Sequence, residues 1–166
     1  AHLGEAAAEL WAEGVVRNFA RTPQSNDTGQ IRAVASGECQ IAVVNTYYLA
    51  RLAASDDPAD LAVAAAVGIV FPGQQGNGTH VNISGAGVVS TSPNRDNAIR
   101  FLEYLTSDRA QSLFADGNNE YPAVPSVGAS SNVAALGGFK EDGLNAAELG
   151  VHQSTAIMVF DRAGWQ

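Results

Sequence analysis

Residues 41–54, IAVVNTYYLARLAA, constrain the fold more than any other stretch of the chain. Four apolar residues read as a buried strand. They stop at Asn45, a residue type favoured at helix N-caps, and the segment TYYLARLAA beyond it has the composition of a helix. A strand that becomes a helix across one residue is the unit from which parallel sheets are assembled.

The flanking segments repeat the alternation. From Ala1 to Ala20, Leu3, Ala7, Leu10, Trp11, Val15 and Phe19 recur at helical spacing with Glu5, Glu9 and Glu13 on another face, predicting an amphipathic helix broken near Gly14. After the loop 21–26, Asp27 is placed to cap a second helix with Gln30 three residues on, ending at Gly37. The loop 55–60 precedes an expected strand at 62–70, and a glycine-rich connection, 71–80, leads into a second strand-like stretch, HVNIS. Residues 92–117 predict two consecutive helices, with Pro93 in the first turn of one and Ser107 capping the other. Residues 118–131 hold too many turn formers for a regular element. Residues 137–150 allow one short helix, and 154–165 a last one closed by an aromatic anchor. The residues alone thus predict an α/β fold with a largely parallel sheet.

The longest apolar run, Leu61 to Phe71, is shorter than the roughly 20 residues that cross a bilayer and stops at Pro72, so no membrane insertion is expected. A formal charge of −8, from 17 acids and 9 bases without a basic cluster, argues against nucleic acid as a partner. One cysteine, Cys39, excludes an internal disulfide and reads as a core thiol beside the apolar run. The chain starts at Ala1 without a methionine or a signal-like lead, as expected of a processed product or a fragment.

Tyr47 and Tyr48 are the candidate functional residues. Adjacent side chains on a helix or strand diverge, so two neighbouring phenols are a poor way to fill a core. A phenol titrates near pH 10 and becomes an anionic ligand at neutral pH only where a hard, highly charged cation favours the phenolate, as ferric iron does. The unpaired N–H groups and dipole of a helix start favour negative charge at the same place. Ligands of open α/β folds also collect at the carboxyl ends of strands. Asn45 is positioned to hold the turn or to reach a co-bound anion.

Other motifs read as structural. His80 is expected to hydrogen-bond backbone, and His2 and His152 to lie on the surface. Residues 84–90, SGAGVVS, lack the third small residue of a dinucleotide fingerprint, and Ser84 lacks the flanking glycines of a nucleophile elbow. Asp56, Asp57 and Asp60 read as a solvated turn rather than a calcium loop. Asn26, Asn77 and Asn82 open N-x-S/T triplets that a bacterial cell would not read.

The succession NDTGQIRAVASGEC, IAVVNTYYLARL, GTHVNISGAGV, NAIRFLEYLTS, NNEYP and FDRAGW resembles the ferric-iron substrate-binding proteins of bacterial ABC importers, particularly the cyanobacterial kind. The resemblance implies a periplasmic protein of the type II periplasmic binding protein class, with two α/β lobes around a cleft that delivers Fe³⁺ to an inner-membrane ABC permease. It implies that Tyr47 and Tyr48 match the paired iron-ligating tyrosines. It also implies that Asn45 matches a residue holding a synergistic anion, and that Asp27 falls near another anion-contacting position usually filled by a neutral polar residue.

The resemblance covers only the carboxyl-terminal half of such proteins. Residues 1–77 and 129–166 are then expected in the second lobe, with 78–128 crossing back to the first. Two phenolates cannot fill the six positions ferric iron takes, so the remaining ligands are expected from an upstream half, a second chain, a swapped homodimer, water or buffer anions. Two readings from other classes stand beside this one. One is a small α/β enzyme using a tyrosine as acid or base with His80 nearby, and the other a ligand-free lobe acting as an interaction module.

Overall fold

The structure, a computed structural model, describes residues 1–24 and 26–165; Ser25, in the expected loop 21–26, and Gln166, at the end of the 129–166 segment, lie outside the described residues. Its helices are α1 (Glu5–Arg17), α2 (Asp27–Ala35), α3 (Thr46–Ala53), α4 (Pro58–Ala66), α5 (Arg95–Leu105), α6 (Asp108–Asn118), α7 (Ser131–Ala134) and α8 (Ala146–Ala163).

Two packing groups hold most of them, and α5 pairs with α6. In one, α1 lies along α8. Ala12 and Val159 are buried there, and Trp165 gathers Trp11, Phe19 and Phe160 at ring-centroid distances of 6.2, 5.2 and 5.0 Å. Arg162 fastens the pair by donating to Glu5 at 2.7 Å and to Glu9 at 2.7 and 2.8 Å. In the other group, α3 is the hub, contacting α2, α4 and α7. Its inward residues Ala50 and Leu52 meet a core that includes Ile31, Ala33 and the fully buried Val133.

Several elements differ from expectation. Residues 62–70 are not a strand: α4 covers most of them. Asp57 caps it by accepting from the Ala59 N–H at 2.8 Å, Pro58 occupies its first turn, and the alanine-rich run beyond favours helix. Asp57 is therefore a capping residue, and Asp60 pairs with Arg32 and accepts from Ser55 at 2.9 Å, so neither is merely solvated. Helix α1 continues through Gly14, and α2 is capped by Asn26, which accepts from the Gly29 N–H at 3.1 Å, rather than by Asp27. Helix α6 passes Gly117 and stops at Asn119, whose φ of 58° is left-handed. The two terminal helical stretches form one 18-residue helix, α8. Cys39 is half-exposed rather than core.

The expected strand 41–44 forms no ladder among the described residues, and its Ile41 and Val43 are 83% and 86% exposed. HVNIS likewise forms no ladder among the described residues. The isolated bridge among the described residues is parallel, Thr79 to Glu141. Strand formation needs a partner as well as a propensity, and neither stretch has a ladder partner among the described residues.

A clasp surrounds that bridge. The Thr79 N–H donates to the Lys140 carbonyl and the Asp142 N–H to the Thr79 carbonyl, each at 2.8 Å. Gln74 accepts from the Lys140 N–H at 2.8 Å and donates to the Thr79 hydroxyl at 2.8 Å, while Lys140 Nζ donates to the Gly76 carbonyl at 2.6 Å. Gly78, with φ of 108°, lets the backbone approach so closely that a Cβ there would sit 2.4 Å from the Glu141 carbonyl oxygen.

Candidate functional site

The tyrosine pair occupies the first turn of α3, as the sequence predicts. Asn45 is the N-cap residue, extended at φ −76° and ψ 141°, and Thr46 begins the helix. The two rings lie side by side with centroids 4.3 Å apart and planes tilted by 33°, both half-buried. They are neither sunk in the core nor turned to opposite sides of the helix.

Arg51 stands one turn on. Its guanidinium carbon lies 5.8 Å from the Tyr47 ring centroid and 5.6 Å from that of Tyr48, within cation–π range of both. Sequence reading missed this residue. The available signal was its spacing of four from Tyr47 and three from Tyr48, which places all three on one helix face.

The Tyr47 phenol is held above its ordinary pKa. The neighbouring Tyr48 phenol is the main cause, followed by desolvation, with the carboxylates of Asp27 and Glu120 adding to it. The carboxylates that oppose the ionisation of Tyr47 also make the place attractive to positive charge.

Asn45 does not cap α3 with its side chain. Its backbone N–H and its side-chain Nδ2 both donate to Oδ2 of Asp27, at 2.8 and 3.1 Å. The structure therefore brings together all four residues singled out in the sequence, with Asp27 and Asn45 bound to each other.

A polar cleft of about 630 Å³ opens beside Tyr48, lined also by Thr28, Arg51, Asp116, Asn119 and Asn132. Asn119 is buried and accepts from Asn132 Nδ2 at 3.1 Å, which ties the end of α6 to α7 just before Glu120. His80 is exposed and lines a different cavity, of about 200 Å³, with Asp142 and Leu144. A tyrosine and His80 do not share a site. His2 is the partner of Asp142, at 2.8 Å, and lowers that carboxyl's pKa. Among the described residues, no group of three or more His, Cys, Asp or Glu side chains is placed to hold a metal. No helix among them is long and apolar enough to cross a membrane.

Comparison with known proteins places these features in a family. Residues 3–141 match the family described as bacterial extracellular solute-binding protein. The chain is 48% identical to iron uptake protein A1 and 50% identical to iron uptake protein A2 of Synechocystis sp., in each case over 98% of this chain but only 45% and 48% of the relative. A solved Trichodesmium structure described as FutA (IdiA) with iron and citrate ligands superposes with a TM-score of 0.93 at 53% identity, over 99% of this chain and 52% of that one. This chain belongs to the bacterial extracellular solute-binding protein family, and it has the fold of about half of a type II periplasmic binding protein. It spans about half the length of the relatives it matches.

Proposed function

We propose that this chain is the part of a ferric-iron-binding protein that supplies two phenolate ligands, Tyr47 and Tyr48, to an iron held in an interlobe cleft. The observation that carries the reading is the pairing of the rings, 4.3 Å between centroids, at the first turn of α3 beside a polar cleft. Ferric iron is the cargo. It displaces the phenolic protons, and two phenolate oxygens neutralise two of its three charges. The names of the Synechocystis and Trichodesmium relatives support iron as that cargo.

The same reading assigns residues 1–77 and 129–166 to one lobe and 78–128 to a segment that crosses to the other. The exposed apolar side chains of Val89, Phe101 and Leu113 on that segment suit packing against a first lobe. The remaining donors to iron then come from outside α3, and the loaded protein hands its cargo to an ABC permease from the periplasm. Its task is binding and delivery, not catalysis.

The test is a titration of the intact protein with ferric chloride, monitored by visible absorbance. Ferric phenolate gives a charge-transfer band. The band is expected with the unaltered chain and is expected to weaken in Tyr47→Phe and Tyr48→Phe and vanish in the double variant. A band of unchanged position and strength in the double variant would overturn the proposal.

A further inference from the structure

Asn77 is the one asparagine in the chain that glycine follows. That pairing carries a chemistry of its own. The backbone nitrogen of the next residue can attack the side-chain carboxamide, and glycine, lacking a Cβ, leaves the approach open and the backbone free to turn into it. Asn77 lies exposed in the turn that leads into the clasp, whereas Gly78 is held there. The Gly78 N–H donates to the Gly73 carbonyl at 3.0 Å, and no room remains beside its α-carbon, where a Cβ would come within 2.4 Å of the Glu141 carbonyl oxygen. On the other side of Asn77, Lys140 Nζ holds the Gly76 carbonyl at 2.6 Å, and Gln74 ties Lys140 to Thr79. The residue that makes the attack easy in a free chain is the one that the clasp immobilises.

We propose that Asn77–Gly78 is a self-modification site guarded by the clasp, slow to react while residues 78–79 are bonded to 140–142 and reactive once they part. The Gly78 nitrogen gives its proton to hydroxide from solvent and bonds to Cγ of Asn77. The Cγ–Nδ2 bond breaks, and the leaving nitrogen takes a proton from water and departs as ammonia. The succinimide ring so formed adds one water at either carbonyl and opens to aspartate or isoaspartate, with nothing oxidised or reduced. Isoaspartate routes the main chain through Cβ of residue 77, which adds a methylene to the backbone beside the tightest contact of the clasp. A joint without room for one Cβ at residue 78 does not close again over a longer chain, so the change is permanent. No residue of the tyrosine pair takes part, and the ferric reading and this site stand or fall separately.

The experiment holds the intact protein in mildly alkaline buffer and follows residue 77 by peptide mass spectrometry. It reads the gain of about one dalton and, with an isoaspartyl methyltransferase, the isoaspartate itself. The unaltered chain in urea sets the rate of the free reaction, and in native buffer the same chain is expected to react far more slowly. Gln74→Ala removes the side-chain bonds to Lys140 and Thr79. It is expected to speed modification about tenfold over the native parent, because local opening becomes easier. Lys140→Met, which removes the bond to the Gly76 carbonyl, serves if circular dichroism shows the first variant unfolded, with the same direction expected. The proposal is overturned if the native parent reacts as fast as the chain in urea, or if the folded variants react no faster than the parent. Permanence has its own readout. In the purified isoaspartate form the Thr79 and Asp142 N–H groups, both bonded in the clasp, should exchange with deuterium as fast as open backbone, and unchanged protection would overturn that part.

Discussion

Tyr47 and Tyr48 share one patch of the α3 surface, their ring centroids 4.3 Å apart, and the Tyr48 phenol is the chief influence on the ionisation of Tyr47. A phenol is neutral at physiological pH and the raised Tyr47 pKa opposes its ionisation further, so under the proposed function ferric iron must displace the proton to bind. Affinity for ferric iron should therefore rise with pH. Loading at neutral pH should release about two phenolic protons per iron, and Tyr47→Phe should release about one fewer. Proton release into a weakly buffered solution, measured with an indicator dye, checks both numbers.

Arg51 lies over both rings, and its contribution there is cation–π attraction and packing. Arg51→Ala should lower the stability of the iron-free protein by about 0.5–1 kcal/mol, with Arg51→Lys recovering part of the loss. Urea denaturation with unchanged slope is the measurement, and an Arg51→Ala variant as stable as the parent would show that the stacking contributes nothing.

Asn119 holds a left-handed conformation, φ 58°, and a hydrogen bond to Asn132. Alanine meets neither requirement, so Asn119→Ala should cost about 1–2 kcal/mol from the backbone alone, whereas Asn119→Gly keeps the conformation and loses only the side-chain bond. Thermal denaturation should rank the parent above glycine and glycine above alanine. The reverse order of the two variants would contradict the backbone argument.

Val133 is fully buried where α7 meets α3. Val133→Ala removes two methyl groups from a packed site and should destabilise by about 2 kcal/mol, through lost burial and an incompletely collapsed cavity. Chemical denaturation checks this.

How much could be read from the sequence depended on how local each determinant is. The start of α3 was legible because helix-forming residues follow a residue type common at helix starts, although the Asn45 side chain turns to Asp27 instead of capping. The same held for Ser107, which caps α6 by accepting from the Ala110 N–H at 3.3 Å. Residues 62–70 misled because an unbroken apolar run has no period that separates strand from helix, and the cap at Asp57 decides it. The strand expected at 41–44 forms no ladder among the described residues, because pairing depends on backbone distant in sequence. The four candidate site residues were found through their chemistry and the family resemblance. The bond between Asp27 and Asn45, 18 residues apart, was not, because nothing local dictates which of several partners a carboxylate will choose.

The clasp around Gln74, Thr79 and Lys140 has a mechanical meaning. Two passages of the chain more than sixty residues apart are riveted at one spot, and glycine lets them touch there. A bulkier residue at 78 would meet the Glu141 carbonyl and pry this rivet open, while leaving the tyrosines themselves untouched.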